Sequence, residues 1–120
     1  MRRPCGHVYA TEDGADLVFQ RDGTQHTLRL RYVLAQQRAV RLIGTGVLYG
    51  DLTRVEVTGG GKGSKGAPRV KVTPSKQAPL IKKCIRGARH VLREALGRYL
   101  SRFPPATARL LDLSSVKNLW

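Results

Sequence analysis

Acidic residues are scarce in this sequence, and a long internal stretch has none. The 120 residues include eight Asp and Glu against 22 Lys and Arg, which gives a formal net charge of +14. Between Glu56 and Glu94 there is no acidic residue at all. A folded chain with so much charge of one sign repels itself unless an anion neutralises it, so we expect a polyanionic partner.

Cysteines and long apolar runs are also few. Cys5 and Cys84 are the only cysteines and lie far apart, so we interpret them as ordinary thiols in a reducing compartment rather than as a disulfide framework. No run approaches the roughly 20 apolar residues of a membrane span, and we expect a protein with no transmembrane segment. The basic N-terminus lacks the apolar region of a secretory signal, which favours an intracellular location and leaves import into an organelle open.

Catalytic and metal-binding groupings are missing as well. Cys84 and His90 are six residues apart and would lie about 120° from each other on a helix, too far around the axis to share one ion. Nothing in the sequence joins a nucleophile to a base and an orienting group. We therefore expect a protein that is not an enzyme and that uses no cofactor, no metal and no small-molecule substrate.

Alternating apolar and polar residues predict a β-rich region over residues 1–73. Asp22-Gly23 predicts a two-residue hairpin turn, because both positions of such a turn need positive φ. Residues 27–38 contain good helix formers, so a helix there is an alternative to the third strand. Gly44 and Gly46 indicate bends or close backbone approaches. The predicted strands cover residues 8–10, 16–21, 24–34, 40–43, 47–49, 54–57 and 69–72.

Three-and-four spacing of apolar residues predicts one long amphipathic helix over residues 79–103. Pro79 suits the first turn of this helix, and Pro104-Pro105 ends it. A short helix is predicted over residues 106–113, followed by an apolar tail that docks on the body and ends at Leu119 and Trp120. The expected fold is a single α+β domain over residues 1–120, a mostly antiparallel sheet packed by one long C-terminal helix.

The basic residues of the predicted helix gather in one stripe opposite its apolar face, at about 100° per residue. Like charges at this spacing repel by a few tenths of a kcal/mol per pair, and a solvated helix usually interleaves Glu with Lys to avoid this. The missing acids favour an anion-binding stripe over the alternative, an ordinary solvated face. Its members are Lys82, Lys83, Arg86, Arg89, His90 and Arg93.

A flexible loop rich in glycine and lysine, residues 59–67, precedes this helix. Residues 61–66 match the spacing of a dinucleotide-binding loop, but that loop opens a helix, whereas a strand follows here. Residues 63–66 resemble the Gly-x-x-Gly clamp of KH domains, which grips the nucleic-acid backbone between two helices. Here the flanking residues are strand-like. The resemblance therefore implies only that backbone amides and lysine ammonium groups of this loop can approach phosphates closely. The loop and the residues that follow it are predicted to join the helix stripe in one continuous phosphate-binding surface. The residues that they add to the stripe are Lys62, Lys65, Arg69, Lys71 and Lys76.

No helix-turn-helix, zinc-finger, basic-zipper or RNA-recognition signature is present. In size, charge, loop and compact α+β layout the chain resembles a small ribosomal protein. This resemblance implies a structural RNA-binding protein with ribosomal RNA and neighbouring ribonucleoprotein subunits as partners, in the cytoplasm or the mitochondrial matrix. A nucleoid-type DNA-binding protein and a basic accessory subunit of a larger assembly are the alternatives.

Overall fold

The computed structural model describes residues 5–58 and 69–117, which form a six-stranded sheet and four helices. Each strand pairs antiparallel with the next along the chain, so the spatial order equals the sequence order. The α+β class predicted from the sequence is confirmed. The strands are β1 (His7–Thr11), β2 (Gly14–Arg21), β3 (Thr24–Leu34), β4 (Val40–Leu48), β5 (Asp51–Thr58) and β6 (Arg69–Thr73). The helices are α1 (Ala78–Gly87), α2 (Arg89–Leu100), α3 (Pro105–Ala108) and α4 (Ser114–Lys117).

Tight turns fix the register of two hairpins. Asp22 and Gly23 have φ of 52° and 77°, and the predicted turn between β2 and β3 is confirmed. Tyr49 and Gly50 have φ of 53° and 85° and join β4 to β5 in the same way. Positive φ at both central residues gives a turn whose twist matches that of the flanking strands, which explains the short connections.

Residues 24–34 form a strand, and the helical alternative over 27–38 is wrong. Leu28, Leu30 and Tyr32 alternate along β3 and are all buried. A helix would scatter these three side chains around its axis, whereas a strand buries them on one face. Only Gln36–Arg38, beyond the strand, forms a short 3-10 turn.

β4 is one continuous strand, although the sequence predicted two separate ones, 40–43 and 47–49. Gly44 and Gly46 lie inside it without breaking it. Both are places of close approach: a Cβ at Gly46 would lie 2.2 Å from the carbonyl oxygen of Thr27, and one at Gly44 would lie 2.6 Å from Cδ2 of Leu30. These glycines therefore let β3 and β4 pair closely instead of bending the chain.

The single long helix predicted over residues 79–103 is not confirmed, because α1 and α2 are separate helices. Ala88 lies between them with φ −96° and ψ 8°, away from helical geometry, directly after the weak helix former Gly87. Its amide still donates to the Cys84 carbonyl (3.0 Å), and its carbonyl accepts from Leu92 (3.0 Å). The interruption is thus one residue long, and both helices keep their apolar faces on the sheet.

The core lies between one face of the sheet, here called the inner face, and helices α1 and α2. Alternate strand residues and the helix residues at three-and-four spacing fill it. Its largest fully buried side chains include Leu17, Leu28, Leu30, Tyr32, Leu42, Leu48, Ile81, Ile85 and Leu92. The other sheet face, here called the outer face, is exposed to solvent at Arg29, Thr45, Val47, Leu52, Arg54 and Lys71.

The C-terminal segment differs from the predicted helix over residues 106–113. Only α3 is helical there, and Asp112 instead forms a parallel bridge with Ala39. The Asp112 amide donates to the Arg38 carbonyl, and the Asp112 carbonyl accepts from Val40, each at 2.8 Å. Val116 is fully buried, so the described part of the tail docks as expected. Leu119 and Trp120 lie outside the described residues.

Cys5 and Cys84 form a disulfide, and their interpretation as ordinary thiols is wrong. Their Cα atoms are 5.5 Å apart, within the usual range for a bridge, although 79 residues separate them in sequence. Cys84 occupies the buried face of α1, and Cys5 precedes the edge strand β1. The spacing of the two cysteines in the sequence does not predict this contact, because the fold brings the two residues together. The expectation of a reducing compartment loses the support of the cysteines.

Candidate nucleic-acid interface

Six basic residues lie exposed along α1 and α2, on the side away from the sheet. We call them the helix row. The periodicity that buries Ile81, Ile85 and Leu92 on the sheet turns the intervening cations to solvent, as the sequence predicted. At about 1.5 Å per residue the row is about 16 Å long. Its members are Lys82, Lys83, Arg86, Arg89, His90 and Arg93.

Buried polar contacts and the disulfide hold the helix row in place. The Tyr32 hydroxyl of β3 donates to the Leu92 carbonyl at 2.6 Å, and Nε2 of Gln77 donates to the Leu48 carbonyl at 3.1 Å. Burial raises the pKa of the Tyr32 hydroxyl, which therefore stays protonated as a donor. The disulfide ties Cys84 of α1 to the start of the chain. The row is thus carried on helices fixed from beneath.

The helix row makes no ion pair with any residue in the described ranges. Every ion pair there involves a cation outside the row. Glu94, the one acid on α2, is exposed and pairs with no described cation. Five neighbouring Lys and Arg side chains, with His90 beside them, are therefore left to solvent or to a ligand.

The carboxylates are used elsewhere, chiefly on the sheet. Nη1 of Arg31 lies 2.7 Å from Asp16, and its Nε lies 3.4 Å from Asp13. Nη1 of Arg41 lies 2.8 Å from Glu56. Because these acids neutralise strand arginines, none of them reduces the positive charge of the helix row.

Lys76 is set apart from the other predicted site residues by an ion pair. Its Nζ lies 2.6 Å from Oδ2 of Asp51 at the start of β5. This contact joins the segment before α1 to the β4–β5 turn. Lys76 therefore has a structural partner, unlike the members of the helix row.

Two arginines beyond the helix row anchor the end of α2. Nη2 of Arg98 donates to the Thr11 carbonyl at 2.8 Å. Nη2 of Arg102 lies 3.3 Å from Glu12, and its guanidinium lies 5.6 Å from the centre of the Tyr99 ring. The contacts with Thr11 and Glu12 connect this end of α2 to the β1–β2 turn, so the row ends at Arg93.

Arg69 and Lys71 do not join the helix row. Val70 and Val72 pack toward the core, so the alternation along β6 places Arg69 and Lys71 on the outer face, opposite the helices. The continuous surface expected from the sequence is therefore divided between two sides of the sheet. Lys62 and Lys65 of the predicted surface lie outside the described residues.

The sequence analysis missed two residues of this second basic surface, Arg29 on β3 and Arg54 on β5. Both are exposed on the outer face. Their signal was present, since each alternates with buried strand residues. Both residues lie outside the acid-free stretch from which the surface was predicted.

A groove of about 510 Å³ lies between β1 and the α1–α2 junction, beside the disulfide. Lys83 and His90 of the helix row line one wall, and His7 of β1 lines the other. The groove reaches from the helix row to the edge strand. An anionic group bound to the row has space to enter it.

Comparison of the chain with protein-family models, curated proteins and solved structures finds no match. None of the described helices is long and apolar enough to cross a lipid bilayer. Within residues 5–58 and 69–117, no three His, Cys, Asp or Glu side chains lie close enough to hold a metal ion. The interpretation of the surface therefore rests on its geometry and charge.

Proposed function

We propose that this protein is a structural RNA-binding protein whose helix row neutralises phosphates. The observation that carries the proposal is the distribution of ion pairs: described acids neutralise cations on the sheet and at the helix ends, and none neutralises the row. A row of exposed like charges costs repulsion, and bound phosphates relieve it.

The helix row suits contact with the nucleic-acid backbone better than recognition of bases. Its side chains are Lys, Arg and His on a convex helical surface, and phosphate contacts of this kind fix position without reading sequence. A folded RNA presents closely spaced phosphates that such a surface can follow. Ribosomal RNA and neighbouring ribonucleoprotein subunits, in the cytoplasm or the mitochondrial matrix, are the partners and locations we propose.

The salt dependence of RNA binding tests this function. If about six phosphates are engaged, log K should fall against log salt with a slope near −4 to −5. The triple variant K82Q/R86Q/R89Q should make the slope shallower by about 2 to 3. The slope is measured by titrating a labelled, folded RNA hairpin and following its fluorescence anisotropy. Salt concentrations from about 50 to about 300 mM span the range in which such slopes are resolved.

The triple variant K76Q/R98Q/R102Q serves as the control, because it removes the same charge from cations that already have partners within the protein. Its slope should stay close to that of the unmodified protein. Equal effects of the two variants, or a slope near zero, would contradict the proposal. Competition by duplex DNA as effective as that by folded RNA would favour the nucleoid-type alternative.

A further inference from the structure

The outer face of the sheet carries a second set of cations. Asp16 lies across from Arg29 and Glu56 across from Lys71 in the strand register, but both acids form their ion pairs with other arginines. Of the basic residues there, Arg31 is neutralised by Asp13 and Asp16, and Arg41 by Glu56. The remaining ones form no ion pair with a residue that the structure describes. These four unpaired cations are Arg29, Arg54, Arg69 and Lys71.

Strand register arranges these cations across the sheet. Arg29 is the partner of Thr45, Thr45 is the partner of Arg54, and Arg54 is the partner of Thr73. Because neighbouring strands lie about 4.8 Å apart, the backbones of Arg29 and Arg54 are about 10 Å apart. Lys71 lies in the adjacent row, opposite Glu56. The four cations are therefore spread across strands β3 to β6, with the side chains of the intervening strand residues between them.

Apolar side chains form the floor between the cations. A depression of about 450 Å³ is lined by Ile43, Leu52, Arg54 and Lys71, together with Glu56, whose carboxylate is paired with Arg41. Leu52 is 56% exposed, and its register partner Val47 is 59% exposed. Tyr9, 54% exposed, lies on the same face at the edge strand β1. Exposed apolar side chains beside cations offer unpaired bases apolar contact near their phosphates, and the Tyr9 ring at the sheet edge offers a stacking surface.

We propose that the outer face is a second nucleic-acid site, which takes a single-stranded segment, and that one molecule thereby bridges two segments. The bridging rests on the function proposed above, whereas the sheet site stands on its own geometry. A duplex hides its base faces and would leave the apolar floor unused. A second copy of the same face would oppose four unpaired cations with four more, which is unfavourable.

The two sites lie on opposite sides of the molecule. The helix row points away from the sheet on one side, and the outer face is the other surface of that sheet. A ligand bound along the row therefore leaves the outer face accessible. Because the sites are separate, substitutions in one site should leave ligand binding at the other site intact, and each site can be tested on its own.

Two triple variants that each remove three charges provide the test, R29Q/R54Q/K71Q on the sheet and K82Q/R86Q/R89Q on the helix row. The probe for the sheet is a labelled oligouridine of roughly ten nucleotides, within the site sizes of single-strand binders. At about 0.1 M salt the sheet variant should bind it roughly 10- to 100-fold more weakly. The row variant should lose less than about threefold with this probe, and its main loss should be with the folded hairpin.

The substitution L52Q separates apolar contact with the bases from contact with the phosphate charge. It should weaken oligouridine binding several-fold and leave the binding of inorganic polyphosphate unchanged, because polyphosphate has no bases for Leu52 to contact. Bridging is measured with the hairpin fixed to beads: the unmodified protein should retain labelled oligouridine on them, and neither triple variant should do so.

Oligouridine bound by the sheet variant with unchanged affinity would overturn the second site. So would polyglutamate competing as well as oligouridine, which indicates a surface for acidic polypeptides, or self-association that the sheet variant abolishes. If the hairpin does not bind at all while the sheet variant still loses the oligouridine, the function proposed above and the bridging both fail, and the sheet site remains supported.

Discussion

The hydroxyl of Tyr32 connects the sheet to α2 through a buried hydrogen bond. It is buried and donates to the Leu92 carbonyl at 2.6 Å, one residue before Arg93 of the helix row. A buried hydrogen bond of this kind contributes about 0.5–1.5 kcal/mol. The position of the row thus depends on a residue that carries no charge.

The substitution Tyr32→Phe should lower the free energy of unfolding by about 1 kcal/mol, since it removes this bond and keeps the ring. Urea denaturation measures the change. Tyr9→Phe is the matched control and should have almost no effect, because Tyr9 is 54% exposed and its hydroxyl bonds to no described residue. Equal stability of Tyr32→Phe and the unmodified protein would show that the bond does not hold α2.

Single residues also mark what local sequence rules can and cannot predict. The turn at Asp22-Gly23 was predicted correctly, because the positive φ that it needs at two positions depends only on the residues at those positions. Gly44 and Gly46 were recognised as special, but their role as contact points with β3 depends on strand pairing. The carboxylate that each arginine contacts, such as Glu56 for Arg41, follows from register alone and has no signal in the sequence.

At the scale of elements, alternation predicted the strands well and periodicity predicted the apolar face of α1 and α2. Both patterns arise from one element packing on one core, which a short stretch of sequence records. The helix predicted over 106–113 failed for the opposite reason. The backbone of Asp112 pairs with residues 38 and 40, and that long-range contact outweighs local helix propensity.

The disulfide is a covalent link between the start of the chain and α1, and its removal should destabilise the protein. Bridging two residues 79 apart restricts the unfolded chain, for which a loss of about 2–5 kcal/mol on reduction is expected. Guanidinium denaturation with and without a reductant measures the difference. The variant C5S/C84S should show the lower stability in both conditions. Unmodified protein that is equally stable in both would contradict the role of the bridge.

At the scale of the whole molecule, the fold divides one basic stretch between two surfaces. The sequence indicated the helix row because the spacing of its residues is periodic within consecutive helices. It did not reveal that Arg69 and Lys71 join Arg29 and Arg54 on the outer face, because strand pairing brings together residues that are far apart in sequence. The alternation of Val70 and Val72 with these cations was the available clue.

Mapping bound RNA onto individual residues tests the central claim, that the helix row contacts phosphates. In ¹⁵N-resolved NMR titrations with the folded hairpin, we predict the largest shift changes at Lys82, Arg86, Arg89 and Arg93. The ion-paired residues Arg41 and Lys76 should change little. Shift changes confined to residues outside α1 and α2, or none at saturating RNA, would contradict the account.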